Sequence, residues 1–314
     1  MKKLLIWLPG MLSMLAACTE AVEIPARAPE KQSPVRVELH LTTEQQAATR
    51  AMDENCIRDV NLYLYGDTEY HFYFPSVSSP LVFNVLPGNY RSYAIANAGQ
   101  DLGDKNAFKI QFYETAVDVM ESSDAIPMTD RGTLAVDGAG RCTPSSLRVT
   151  RSAAKIAYTI EVADAVAPSL RLRSVQFCNL PLTIRPFDSG SISSTVEANY
   201  YDGEAMPVGN ERRTAGTAYL FENLQGSVDT ITDQKDKCPE NAPACATYLR
   251  ILAERSADKA LVEYIVYPGE NNTSDFNVRR NTWHNLELVI RGENEIDNRV
   301  LVYDGLYYGT ANCH

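Results

Sequence analysis

Short runs in which apolar and polar residues alternate recur along almost the whole chain, and a period of two is the signature of strands with one buried face. Val35, Val37, Leu39 and Leu41 share one face of such a run, and Arg36, Glu38 and His40 share the other. Val60–Tyr65 alternates again and ends at Gly66-Asp67. Further strands are expected at 71–74, 81–86 and 90–96, with Pro87-Gly88 reversing the chain between the last two. Residues 104–120 break the rhythm: Phe108, Phe112, Ala116 and Val119 fall three or four apart, which predicts one amphipathic helix packed on a sheet. The stretch 129–146, rich in Gly, Asp and Thr, has the composition of a loop or domain border. From Leu147 a second β region opens, with Ile156, Tyr158, Ile160 and Val162 on one face and Lys155, Thr159 and Glu161 on the other. More strands are expected at 172–178, 217–221, 247–253, 260–267, 284–291 and 299–303. The pattern predicts an all-β chain of two consecutive β-sandwich domains, 35–146 and 147–314, with one or two short helices.

Charge and cysteine usage narrow the setting. Loss of an N-terminal leader containing Lys2 and Lys3 would take the formal net charge from −11 to −13. That disfavours nucleic acid as a partner, because phosphate contacts need a basic face. Seventeen tyrosines against two tryptophans suit β-rich surfaces, where the ring packs and the hydroxyl stays wet. Beyond Cys18 six cysteines remain, an even number that permits three disulfides in an exported chain. Cys238 and Cys245 flank the short stretch PENAPA and are a candidate pair for closing a small loop; buried free thiols are the alternative. Four scattered histidines and the absence of any CxxC leave zinc without a ligand spacing, and nothing calls for a cofactor.

The N-terminus reads MKKLLIWLPGMLSMLAAC: two lysines, a short apolar run and a small-residue site. The run is short of the ~20 apolar residues that a spanning helix needs, so residues 1–17 form a secretory signal. Leu15-Ala16-Ala17-Cys18 resembles the bacterial lipobox, which implies cleavage before Cys18 and its lipidation. Residues 18–34, polar with three prolines, form a flexible tether that lifts the body off a membrane.

Four further segments carry a family resemblance: VLPGNYRSYAIAN at 85–97, LRVTRSAAKIAYTIEV at 147–162, YLFENLQG at 219–226, and YPGENNTSDFNVRRNTWHNLELVIRG at 267–292. In that order and spacing they resemble the fimbrillin superfamily of Bacteroidales, the lipoprotein subunits of pili, and most of all its tip and accessory members. The resemblance implies two transthyretin-like sandwiches, a non-enzymatic structural and adhesive role, and a place in a fimbrium on the outer membrane. It implies other pilus subunits, the membrane reached through the lipid, and host or bacterial surface ligands as partners. It also implies donor-strand assembly, in which a first strand is excised and another subunit's strand fills the groove. Here the strand that fits carries Val35, Val37, Leu39 and Leu41, and Arg50 in the polar stretch behind it suits an arginine-directed protease. An uncleaved anchor subunit would instead keep that strand in its own sheet. The chain closes on Ala311-Asn312-Cys313-His314, a segment that in tip-like relatives leads into further domains, so a shortened member or a truncated reading frame is expected.

Each motif also has a plain structural role. Arg279 and Arg280 are expected to be solvated charges paired with nearby acids, and Glu222 and Asn223 turn formers. No catalytic constellation stands out: DSGSIS near Gly190 lacks the closing glycine of a nucleophile elbow, and no phosphate loop or His-Glu-x-x-His occurs. The rival from another class is a surface glycan-binding lipoprotein, for which Tyr200-Tyr201 and Tyr307-Tyr308 are the candidate aromatic platforms.

Overall fold

Alternation translates directly into sheet. The computed structural model describes residues 32–43, 56–104, 106, 109, 115–116, 126–187, 190, 193–209, 211–293 and 295–304. Its first seven long strands are β1 (Val35–Thr43), β2 (Val60–Tyr65), β3 (Glu69–Phe74), β4 (Leu81–Val85), β5 (Gly88–Ala96), β6 (Met128–Val136) and β7 (Ser146–Arg151). They form one sheet in the order β3-β2-β5-β6-β7-β1-β4, with Cys142–Thr143 added beside β6. The two ends of that path meet, since the ring of Phe72 on β3 lies 4.9 Å from that of Phe83 on β4. The sheet therefore rolls around a single core of Val37, Leu39, Leu62, Leu64, Phe83, Leu134 and Val149.

A second set follows: β8 (Ala153–Val162), β9 (Leu170–Cys178), β10 (Arg213–Phe221), β11 (Tyr248–Arg255), β12 (Leu261–Val266), β13 (Thr282–Gly292) and β14 (Glu295–Asp304). It makes two four-stranded sheets, β10-β8-β13-β14 and, beginning with the short strand Met206–Pro207, a sheet that continues β9-β11-β12. Ile156, Ile160, Leu286 and Leu288 of the first join Leu172, Val175, Leu249 and Ile251 of the second in one hydrophobic cluster.

The second set repeats the pairing of the first. β1 lies antiparallel to β4 and parallel to β7; β8 lies antiparallel to β10 and parallel to β13. Likewise β3-β2-β5-β6 corresponds to Met206–Pro207 with β9-β11-β12, all antiparallel. Among the described residues β14 has no counterpart in the first set, and it pairs along β13 on the side away from β8.

Two expectations need revision, and a third falls mostly outside the described residues. β6 falls in the stretch read as a loop or border; Asp130, Arg131 and Gly132 at its middle hide the alternation, yet Met128, Leu134 and Val136 are buried and β5 pairs with its whole length. β7, expected with the second region, pairs with β1 and β6 and places Leu147 and Val149 in the first core. The predicted helix over 104–120 lies mostly outside the described residues, and within it Thr115–Ala116 form strand pairs with Thr183–Ile184. The described residues from Pro34 onward cluster as one compact unit. One reason is visible at β2, which is buried on both faces. Tyr63 and Tyr65 point away from the first core and pack with Tyr93, Ile95 and Phe187, the Tyr93 and Phe187 rings meeting edge to face at 5.2 Å.

Candidate functional site

β1 is held in two portions, each by a different neighbour. Residues 35–39 pair antiparallel with β4, and residues 40–43 pair parallel with β7. Val37 and Leu39 are fully enclosed, while Val35 and Leu41 are half-buried against the same core. Arg36, Glu38 and His40 face outward. Arg36 reaches Glu38 at 3.3 Å, but both are exposed and such a pair adds little. The far end is fastened by further bonds: His40 N donates to the Ser145 carbonyl at 3.1 Å, and Thr42 Oγ1 to the Leu147 carbonyl at 3.2 Å. All four apolar residues expected on the strand thus lie on β1 and turn toward one core.

The chain returns to the sheet at a second fixed point. Asn97, at a φ of 61°, accepts from Arg58 N at 2.8 Å and donates through Nδ2 to the Cys56 carbonyl at 2.9 Å and the Ile126 carbonyl at 2.8 Å. Asp59 accepts from Ala98 N and Gly99 N at 3.1 and 3.0 Å. Burial raises the Asp59 pKa, against the lowering effect of those two N–H groups.

Three of the sequence motifs converge on one buried polar node at the junction of the two strand sets. Arg280 binds Glu222 through Nη2 at 2.8 Å, and its own backbone N donates to the other carboxylate oxygen at 3.2 Å. The same guanidinium donates to the Pro186 carbonyl at 2.6 Å and the Arg185 carbonyl at 3.1 Å. Arg280 and Glu222 are only 11% and 8% exposed. The expectation of solvated charge holds for Arg279, an exposed residue paired with Glu270, and fails for Arg280. Asn223 is more than a turn former: it is wholly buried and exchanges two 2.8 Å backbone bonds with Val278, and its Nδ2 donates to the Cys245 carbonyl and Thr247 Oγ1. Arg151, at the end of β7 and 1% exposed, donates to Asn281 Oδ1 at 3.1 Å, while Asn281 N donates to the Ala153 carbonyl. The node is built to hold segments together.

Behind it, the loop joining Tyr267 to Phe276 closes over a lysine and a histidine. Lys237 Nζ donates to the Asn271 carbonyl at 2.8 Å and sits 5.2 Å from the centre of the Phe276 ring. Burial pulls its pKa down to about 8, against the opposing charge of Asp275. His284 is fully buried, with Nε2 3.0 Å from Thr282 Oγ1 and Nδ1 3.3 Å from the Gly269 carbonyl. Burial lowers its pKa from 6.5 to about 4; the Gly269 bond and Asp275 oppose that shift and Lys237 reinforces it. The native state thus keeps this ring neutral in a range where the unfolded chain protonates it. Its contribution to stability is complete above pH 6.5, falls as pH drops, and is gone below about 4. The loss amounts to about 3 kcal/mol. Urea unfolding at pH 7 and pH 4.5 is expected to show a smaller acid penalty for His284→Gln than for the native chain; equal penalties would remove His284 from the account.

Cys18 and Arg50 lie outside the described residues, as do Tyr307 and Tyr308. Cys238 and Cys245 are free thiols. Cys238 Sγ is an acceptor for Asn241 Nδ2 within its own turn, whereas Cys245 is buried next to Asn223. Tyr200-Tyr201 make no exposed platform: both are half-buried, Tyr201 packs on the second core, and Tyr200 is hydrogen-bonded to Gln225. Sequence reasoning missed Lys237, and it gave no role to Asn97 and Arg151 although both lie in quoted segments, because their partners come from distant parts of the chain.

Residues 218–288 match the model of a domain family of unknown function, DUF4906. That window runs from β10 into β13 and encloses Glu222, Asn223, Lys237, Arg280 and His284. No curated protein matches the chain in sequence. Among solved structures, a proposed cell adhesion protein of Parabacteroides distasonis ATCC 8503 aligns at a TM-score of 0.62 and 12% identity, covering 87% of this chain and 100% of its own. A fimbrilin of Porphyromonas gingivalis W83 aligns at 0.60 and 14%, covering 88% and 99%. The tip fimbrial protein Mfa3 of Porphyromonas gingivalis, with a C-terminal truncation, aligns at 0.51 and 13%, covering 87% and 100%. At these identities the likeness is one of fold.

Proposed function

We propose that this chain is a structural and adhesive subunit of a fimbrium, exported as a lipoprotein through Cys18 and assembled by exchange of β1. The observation that carries the reading is β1 itself. It is the first strand among the described residues, its aliphatic face fills the first core, and it runs between β4 and β7, so its loss would leave a groove lined by unpaired backbone and apolar side chains. The fold shared with a fimbrilin and a fimbrial tip protein supports the same reading. Within it, Arg50 is the cleavage point that would free the strand, Cys18 is the outer-membrane anchor, and a tip or accessory place fits the motif resemblance better than the main stalk. Other subunits are the partners, with a surface ligand for adhesion.

The test separates anchoring from assembly. In cells fed a clickable palmitate analogue, Arg50→Ala is expected to keep the label that Cys18→Ala loses, while entering no fibres. Normal incorporation of Arg50→Ala into fibres would overturn cleavage at Arg50.

A further inference from the structure

Because β1 is paired by different neighbours along its two portions, residues 35–39 have β4 on one edge while β7 begins on the other edge only opposite His40. An open edge in a strand meant to stay would invite pairing with any other chain. The turn at 137–141 occupies that place. Gly140 has a φ of 78°, and a Cβ added there would lie 2.1 Å from the Arg36 carbonyl oxygen and 3.8 Å from Val35 Cβ. The turn thus rests backbone on backbone against the start of β1, a fit that only glycine permits in both conformation and space.

The turn is also closed on itself. Asp137 N donates to the Arg141 carbonyl at 3.1 Å, and Gly140 N to the Asp137 carbonyl at 3.0 Å. The Asp137 carboxylate accepts from Ala139 N and Arg141 N, both at 2.9 Å, and from Arg141 Nε at 2.7 Å. Its stem is pinned where Cys142–Thr143 pair with Ala135 and Val136 of β6. These hydrogen bonds run within the turn and along β6, and none of them reaches β1.

We infer that the turn at 137–141 is a clasp over the first portion of β1, and that it gates strand exchange: the clasp must open before β1 leaves or another extended strand enters. The occupant it admits is an extended segment with alternating aliphatic residues, recognised at the Arg36 position by its backbone alone. This rests on the strand-exchange reading above and adds to it the element that controls it.

Hydrogen exchange on the full chain tests the clasp directly. With Gly140→Val, the amides of β1 are expected to exchange roughly tenfold faster or more, while those of β8 and β13 keep their native protection. A fluorescent peptide covering residues 35–43 should then be captured by the variant and ignored by the native chain. Asp137→Ala, which loosens the turn without adding bulk, is expected to shift β1 exchange the same way by a smaller factor and guards against simple misfolding of the valine variant. Native protection of β1 in both variants would overturn the clasp, and so would equal loss across β1 and β8. These outcomes are independent of whether fibres contain cleaved chains, so failure of the clasp and failure of strand exchange are told apart.

Discussion

A chain that starts at Ala51 is expected to be unstable as a monomer or to polymerise, and an added peptide covering β1 is expected to restore a soluble, cooperatively folding species. Val37 and Leu39 are completely enclosed, and each such side chain contributes ~1.5–3 kcal/mol by burial alone. Half-buried Val35 and Leu41 add to this, and removing the strand leaves a cavity whose walls lose their contacts as well. The ladders with β4 and β7 are lost together, leaving buried backbone groups without partners. Against a typical stability of about 5–15 kcal/mol, that is enough to unfold the first strand set or force it to find a replacement strand. The check is size-exclusion chromatography and thermal unfolding of the shortened chain with and without peptide. An unchanged monomer with an unchanged melting temperature would make β1 dispensable.

Glu222→Ala is the substitution expected to cost most at the junction. It leaves the Arg280 guanidinium buried with two carbonyl partners and no counter-charge. Removing one partner of a buried pair typically costs ~3–5 kcal/mol, whereas replacing both by apolar residues of similar volume is often close to neutral. The double substitution Glu222→Leu with Arg280→Met is therefore expected to be more stable than Glu222→Ala alone. Urea midpoints of the two variants decide this. A Glu222→Ala midpoint equal to that of the native chain would show that the pair contributes nothing to holding the strand sets together.

Most of the fold was legible because alternation is a local property. Val35 to Leu41, Val60 to Tyr65 and Ile156 to Val162 announce themselves without any partner being known, and each lies in a strand. β6 was not legible for the same reason. Its polar centre is tolerated because β5 pairs along its whole length, and nothing within 128–136 shows that. Arg280 was misjudged because burial of a charge depends on Glu222 and on the carbonyls of Arg185 and Pro186, all far away in sequence. Gly140 carried no visible signal either. In sequence it is one more glycine in Asp137-Gly138-Ala139-Gly140, and only the approach of Arg36 shows why no other residue fits.

Strand exchange after cleavage at Arg50 is the central claim, and N-terminal sequencing of the subunit recovered from purified fibres tests it most directly. The account predicts a chain that begins at Ala51 and has lost Cys18, the tether and β1. A chain that still carries residues 35–43 in assembled fibres would contradict it, and would make this protein an uncleaved subunit that keeps β1 in its own sheet.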